Sequence, residues 1–300
     1  ARRAAEHWWI ASYSALRMEE GEAAVVDRNP VDRHDDVSPD SSAVQIASDD
    51  EDPALALEQI PVSAQGLHRF PRGPNPGTFL HGLLEIAAAE GFAAMAGAPE
   101  VLREHLARRC QRRGLETWIE PLWLWLQSLL VQPLSLGNGS AVSLAQLSEY
   151  QAELEFWFEA RRVDVLRLDA LVRHFEMPTV ARPVLSPDTL NGMFKGFIDL
   201  VFEHEGRYYV VDYKSNWLGA DEQAYTAEAM NIAVASHRYD LQYVLYVLAL
   251  HRHLRLRLTD YDYDTHVGGA LYLFLRAPAA GQYLARPQRA QETWSWSRQV

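Results

Sequence analysis

The stretch GFIDLVFEHEGRYYVVDYK, residues 196–214, decides the fold. Two runs rich in aromatic and β-branched residues flank the turn sequence His204-Glu205-Gly206-Arg207, which predicts a β-hairpin with a two-residue loop. Such a loop would place Asp199 directly opposite Asp212. Because side chains alternate between the faces of a strand, Lys214 joins both aspartates on one face. The other face would carry six core side chains: Ile198, Leu200, Phe202, Tyr209, Val211 and Tyr213.

Two carboxylates that face each other across a strand pair repel and destabilise that pair. A divalent cation between them would remove the repulsion, and a lysine beside it would complete a hydrolytic site. The alternative is an ordinary hairpin with polar surface residues. The prediction depends on the register, because a loop of another length would slide the strands and turn one aspartate away.

The composition fits a folded domain without disulfides. A chain of 300 residues with 48% hydrophobic residues can bury a sizeable core. Its single cysteine, Cys110, excludes an intrachain disulfide and a cysteine-based zinc or iron–sulfur site within this chain. We therefore expect a reducing, cytoplasmic location. No apolar run reaches the roughly 18 residues of a membrane helix, and the phosphate-loop motif of ATPases is missing, so we expect neither membrane binding nor ATP hydrolysis.

The net charge of −12 argues at first against a nucleic-acid partner. Its distribution changes that interpretation, because residues 19–60 alone carry a net charge of −11 without steady periodicity. We expect this acidic segment to be a disordered insertion or linker. Basic clusters occur elsewhere, for example in the predicted amphipathic helix at residues 99–112. Residues 281–300 are predicted to be a polar tail without a clear element.

Helical and strand patterns mix along the rest of the chain, which indicates an α/β fold. A helix is predicted from near Thr78, and His81 lies well off the centre of its apolar stripe, so an exposed histidine is one interpretation. Residues 153–158 alternate like a strand that presents Glu153 and Glu155 on one face. A later helical region, residues 221–258, is expected to break near His237.

Five segments, in this order, are similar to the C-terminal nuclease domain of RecB, the beta subunit of exodeoxyribonuclease V (RecBCD), a member of the PD-(D/E)XK nucleases. The resemblance runs from about residue 7 to residue 276, with the acidic segment as a divergent insert. The segments are WIASYSALR (9–17), GTFLHGLLE (77–85), GFIDLVFEHEGRYYVVDYKSNWLG (196–219), HRYDLQYVLYVLALHRHLR (237–255) and GGALYLFLR (268–276).

The resemblance implies a central mixed sheet flanked by helices and a metal site at the hairpin. Asp199, Asp212, His81 and the main-chain carbonyl of Tyr213 would be metal ligands. Lys214 would position or deprotonate the attacking water. Hard oxygen ligands with few nitrogens suit Mg²⁺, and Mn²⁺ or Ca²⁺ also suit such a set.

Three further residues follow from the resemblance. Glu153 matches an acidic residue three before a phenylalanine, although Glu155 lies close enough to leave this assignment open. Gln242 and Tyr246 match a Q-x-x-x-Y motif, and residues four apart share one face of a helix. A tyrosine ring can stack on a base and a glutamine amide can bind base or backbone, so we expect both to contact substrate.

The function implied is a Mg²⁺-dependent nuclease that cuts single-stranded DNA in double-strand break repair and degradation of linear DNA. Residues 1–300 would be a single nuclease domain, a fragment of a longer helicase–nuclease chain. Its expected partners are DNA, RecC-like and RecD-like subunits and a RecA-type recombinase. Two alternatives are a catalytically silent docking module of the same fold and a stand-alone structure-specific endonuclease.

Overall fold

The computed structural model describes residues 9–11, 16, 66–137 and 139–287. The acidic segment 19–60 lies outside the described residues, as do residues 288–300 of the predicted polar tail.

A six-stranded mixed sheet forms the centre of the structure, with the order β1-β5-β6-β7-β8 and β4 on the other edge of β5. The β1–β5 and β6–β7 pairs are parallel, whereas β4–β5, β5–β6 and β7–β8 are antiparallel. A separate two-stranded ribbon joins β2 to β3. The strands are β1 (Trp9–Ala11), β2 (Leu134–Ser135), β3 (Ala141–Val142), β4 (Glu149–Asp164), β5 (Thr189–His204), β6 (Arg207–Lys214), β7 (Val267–Phe274) and β8 (Gln282–Ala285).

Helices cover both faces of this sheet and bury one hydrophobic cluster on each face. The first four helices pack on one face, while the fifth, sixth and seventh pack on the other. Both faces of the sheet are therefore covered by helices. The predicted α/β fold with a central mixed sheet flanked by helices is confirmed. The helices are α1 (Pro74–Glu90), α2 (Phe92–Gly97), α3 (Pro99–Arg113), α4 (Ile119–Val131), α5 (Val165–Phe175), α6 (Ala227–Ser236), α7 (Tyr239–Arg257) and α8 (Tyr263–His266).

Several element boundaries differ from the sequence prediction, and β4, for example, spans residues 149–164 rather than 153–158. Helix α1 begins at Pro74 rather than near Thr78, because proline is well suited to the first turn of a helix. The expectation of no element in residues 281–300 is wrong at its start, where Gln282–Ala285 form β8. The side chain of Gln282 fixes this strand, since it accepts a hydrogen bond from Ser135 N and donates one to Pro133 O.

Arg276, two residues after the end of β7, connects the elements that frame the site by hydrogen bonds. Its buried guanidinium donates to the main-chain oxygen of Ser215 at 2.7 Å, directly after β6. It also donates to the oxygens of Leu67, Phe70 and Pro71, each at 2.8 Å, in the segment that leads into α1. The start of α1 is thereby held against the end of β6. Within the described residues, none of the helices is both long and apolar enough to cross a membrane.

Candidate active site

The hairpin of β5 and β6 has the predicted register. Its ladder runs from the pair His204–Arg207 to the pair Leu200–Val211. The two loop residues have φ angles of 51° and 78°, as a type I′ turn requires. The next position along this register is the one predicted to hold the two aspartates.

Strand β5 separates from β6 at this position. Strand β4 covers one edge of β5 from residue 189 to 203, so β1 and β6 share the other edge. Since β1 pairs with residues 192–194 and β6 with residues 200–204, no described strand covers residues 195–199 there. Asp199 lies in this opening, where its Oδ2 accepts a hydrogen bond from Tyr213 N at 2.6 Å. A carboxylate thus takes the place of a strand partner.

Asp212 and Lys214 form the second part of the site, together with Gln242 of α7. Lys214 Nζ lies 2.8 Å from Asp212 Oδ2 and donates to Gln242 Oε1 at 2.9 Å. Gln242 Nε2 in turn donates to Asp212 Oδ1 at 3.0 Å. All three side chains are buried. The glutamine amide therefore holds carboxylate and ammonium in fixed positions.

Two tyrosine rings complete the surroundings of Lys214. Its Nζ lies 3.7 Å from the ring centroid of Tyr239 and 5.3 Å from that of Tyr272. The electron-rich face of a ring attracts an ammonium group, so these rings stabilise the protonated lysine. Sequence reasoning missed both residues. The position of Tyr239, three residues before Gln242 on one helix, was the available signal.

Tyr246 lies on the same helix face as Gln242, as predicted. Its hydroxyl accepts a hydrogen bond from Gln242 Nε2 at 3.1 Å, and its ring meets Phe156 edge-on. Both Tyr246 and Gln242 are buried here, with exposed fractions of 8% and 4%. In this structure they contact protein groups, and substrate contact by either residue stays a prediction.

His81 reaches the site from α1, on the opposite face of the sheet from α7. Its Nδ1 lies 3.6 Å from Asp199 Oδ2, and its ring packs edge-on against Tyr213. The exposed interpretation of His81 is wrong, because only 6% of the residue is exposed. Helix α1 thus places an imidazole beside the carboxylate of the strand opening.

Glu153 and Glu155 have different surroundings. Pairing of the flanking residues places Glu153 opposite Asp199, and a φ of 50° at Glu153 interrupts the regular alternation of β4. Burial, with the negative charges of Asp199 and Glu85, raises the pKa of Glu153 to about 8. Glu155 instead binds Lys195 at 2.8 Å, and this contact lowers the pKa of Glu155. The arrangement favours Glu153 as the glutamate of the site.

The break in strand alternation near Glu153 and Asp199 also affects the hydrophobic core. Ile198, predicted beside Leu200, packs instead in the cluster under α7. Leu200 and the other four predicted core residues do share the cluster under the first four helices: Phe202, Tyr209, Val211 and Tyr213. The alternation of β5 therefore changes at Asp199, the residue between the two.

The chemistry of these side chains fits a divalent cation. Asp212 Oδ2 is buried, and its neighbour among the described residues is Lys214 Nζ at 2.8 Å. Burial raises the pKa of Asp212, and the charge of Asp199 adds to this effect while Lys214 opposes it. Such an excess of carboxylate oxygens suits Mg²⁺. The described residues hold no ready-made group of three His, Cys, Asp or Glu ligands, so the ligand set stays a prediction.

A comparison with known families decides the classification. Residues 62–298 match the PD-(D/E)XK nuclease superfamily. The chain belongs to this superfamily. The match includes β4, β5, β6 and α7, the elements that carry most of the candidate site of this PD-(D/E)XK nuclease domain.

Curated relatives of this PD-(D/E)XK domain are named RecBCD enzyme subunit RecB. The protein of Escherichia coli K12 is 43% identical over 291 residues, which is 94% of this chain and 22% of that protein. The protein of Haemophilus influenzae is 37% identical over 228 residues, 73% of this chain and 18% of that protein. The protein of Mycolicibacterium smegmatis is 32% identical over 232 residues, which is 69% of this chain and 21% of that protein. The chain therefore spans about a fifth of the length of these relatives.

Replacing Glu153 by glutamine in this PD-(D/E)XK domain is expected to lower kcat for DNA cleavage by about 10- to 100-fold. The reason is that Glu153 faces Asp199 with a carboxyl whose pKa is about 8, so it can hold or release a proton next to the strand opening, which a glutamine amide cannot do. The matched control is Glu155→Gln, which removes only a contact with Lys195 and should leave kcat within about twofold. The measurement is the rate at which each variant cleaves linear single-stranded DNA. Impairment of the Glu155 variant alone would reverse the assignment.

Proposed function

We propose that this chain is the nuclease domain of a RecB-type helicase–nuclease and hydrolyses phosphodiester bonds in single-stranded DNA. The observation that carries the proposal is the buried arrangement of Asp212, Lys214 and Gln242 next to Asp199 at the strand opening. Holding a carboxylate and an ammonium together in a desolvated site costs stability, and buried charged groups of this kind are concentrated at functional sites.

Mg²⁺ is the cofactor that we propose, with Mn²⁺ or Ca²⁺ as ions that suit the same ligands. Asp199, Asp212, His81 and the main-chain carbonyl of Tyr213 would hold it. When bound, the ion would supply Lewis-acid chemistry: it lowers the pKa of water and neutralises charge on the scissile phosphate. The burial of Asp212 and the repulsion among the carboxylates, which raises its pKa, support this assignment.

Lys214 supplies positive charge to the transition state. Asp212, Gln242 and the Tyr239 ring all stabilise its ammonium form and fix its direction. From this position the ammonium can donate a hydrogen bond to a phosphate oxygen as negative charge develops there, or orient the attacking water. Because the contacts exist before substrate binds, little reorganisation accompanies the reaction.

The partners that we propose follow from the names of the relatives, which are subunits of a RecBCD enzyme. They are RecC-like and RecD-like subunits. We also propose that a helicase motor lies in the same longer chain and delivers single-stranded DNA to the nuclease domain. A RecA-type recombinase is a further proposed partner. The work of such an assembly would be double-strand break repair and degradation of linear DNA.

The test is an assay of the 300-residue chain on linear and circular single-stranded DNA, with Mg²⁺ and with EDTA. We expect Mg²⁺-dependent cleavage that EDTA abolishes, and saturable Mg²⁺ binding by calorimetry. Absence of both cleavage and metal binding would support a silent docking module instead. Cleavage confined to branched duplexes would support a structure-specific endonuclease.

A further inference from the structure

The second half of α3 is a basic surface that the candidate site does not use. Residues 105–115 contain four arginines and no Asp or Glu, in a chain whose net charge is −12. Leu102, Leu106 and Cys110 point into the core and fix the orientation of the helix. The arginines therefore lie on its outer and lateral faces: Arg108, Arg109, Arg112 and Arg113.

This surface adjoins the helix that carries His81. A Cβ added to Gly82 would lie 3.1 Å from Arg109 Nη1, so the guanidinium of Arg109 lies over α1 at the residue next to His81. The guanidinium carbon of Arg113 lies 5.9 Å from the ring centroid of Phe79, nearer the start of α1. The two arginines thus lie along the turn of α1 that carries His81, and glycine at position 82 leaves room for Arg109.

Arg109 lies close to two other arginines and to the carboxylate of Glu85. Burial lowers the pKa of Arg109, and the charges of Arg113 and Arg112 lower it further, while Glu85 opposes these effects. Positions 109, 112 and 113 are neighbours on one helix face, where like charges repel. Cations near the end of a helix also stabilise its dipole, which accounts for Arg112 and Arg113. That effect does not account for Arg109, which is partly buried against α1.

We propose that Arg109, Arg112 and Arg113 bind the phosphate backbone of the single strand and lead it along α1 to His81 and Asp199. This inference rests on the proposed nuclease function and adds the path by which substrate reaches the site. Consecutive phosphates of a single strand match a row of guanidinium groups, which also bind phosphate in a bidentate manner. Contacts of this kind carry no sequence preference, as a nuclease that degrades any strand requires.

The test measures binding of a fluorescent single-stranded oligonucleotide to the 300-residue chain in EDTA, between about 50 and 200 mM salt. The variant is Arg109→Gln/Arg113→Gln. We expect several-fold weaker binding at low salt and a salt slope that falls by about 0.7 for each phosphate that the variant no longer neutralises. In Mg²⁺, KM should rise more than kcat falls.

The matched control is Arg103→Gln, on the same helix but paired with Glu120 at 3.4 Å, which should keep the wild-type slope. Arg109→Lys/Arg113→Lys should restore most of the slope, which a purely structural role would not predict. Unchanged binding in the glutamine variant would overturn the proposal, and loss of association with a RecC-like subunit instead would identify a protein interface. The EDTA measurement does not require cleavage, so its outcome is independent of the proposed catalysis.

Discussion

Replacing Asp212 by asparagine is expected to lower the rate of DNA cleavage by about 100- to 1,000-fold or more. Asp212 is the centre of the site, since Lys214 and Gln242 both contact it and its Oδ2 is buried. Asparagine has the same shape and its oxygen can still accept the hydrogen bond from Gln242. The variant therefore removes the charge and leaves the packing.

Stability separates the loss of chemistry from the loss of the fold. Lys214 would keep its contacts with Gln242 and the Tyr239 ring, so the melting temperature should change by only a few degrees. Glu159→Gln is the matched control, because Glu159 lies on the same sheet and pairs with Arg161 at 2.8 Å. An Asp212→Asn protein that cleaves single-stranded DNA at the wild-type rate would show that the site lies elsewhere.

The largest effect on stability is expected for Asp240→Ala. Asp240 is fully buried and accepts hydrogen bonds from Arg182 and Arg238. Its removal takes the shared carboxylate from two buried guanidinium groups, and Arg238 keeps Asp169 as a partner at 2.6 Å. Breaking a buried ion network in this way costs about 3–5 kcal/mol, which lowers the melting temperature by on the order of 10 °C.

Asp260→Ala is the control for this variant, because Asp260 is exposed and lies three residues after the end of α7. Thermal unfolding followed by circular dichroism measures both. Cleavage should also fall in Asp240→Ala, since α7 starts beside Asp240 and carries Gln242 two residues later. Equal melting temperatures for Asp240→Ala and the wild type would mean that the network adds no stability.

The hairpin was predictable because its turn is local. Gly206 readily adopts a positive φ angle, and a two-residue loop fixes every later pair of the ladder. The spacing of Gln242 and Tyr246 likewise follows from helix geometry. These predictions concern residues close in sequence, where pattern and structure are directly linked.

Long-range features were not predictable from patterns. The pairing of β1 with residues 192–194 joins segments some 180 positions apart, and nothing in either sequence specifies it. The positive φ of Glu153 depends on the opening between β5 and β6, which exists only in the assembled sheet. The ion pair of Asp240 with Arg182 likewise joins side chains 58 positions apart in the sequence. In each case tertiary packing decides the local conformation.

Helices α1 and α7 approach the site from opposite faces of the sheet, which has a consequence for the timing of activity during translation. His81 leaves the ribosome long before Gln242, and domains acquire tertiary structure only once their sequence has emerged. The cluster under the first four helices includes Val211 and Tyr213 of β6, whereas the contacts that fix Asp212 and Lys214 come from Gln242 of α7. We therefore expect a chain that ends before α7 to lack the fixed arrangement that cleavage requires.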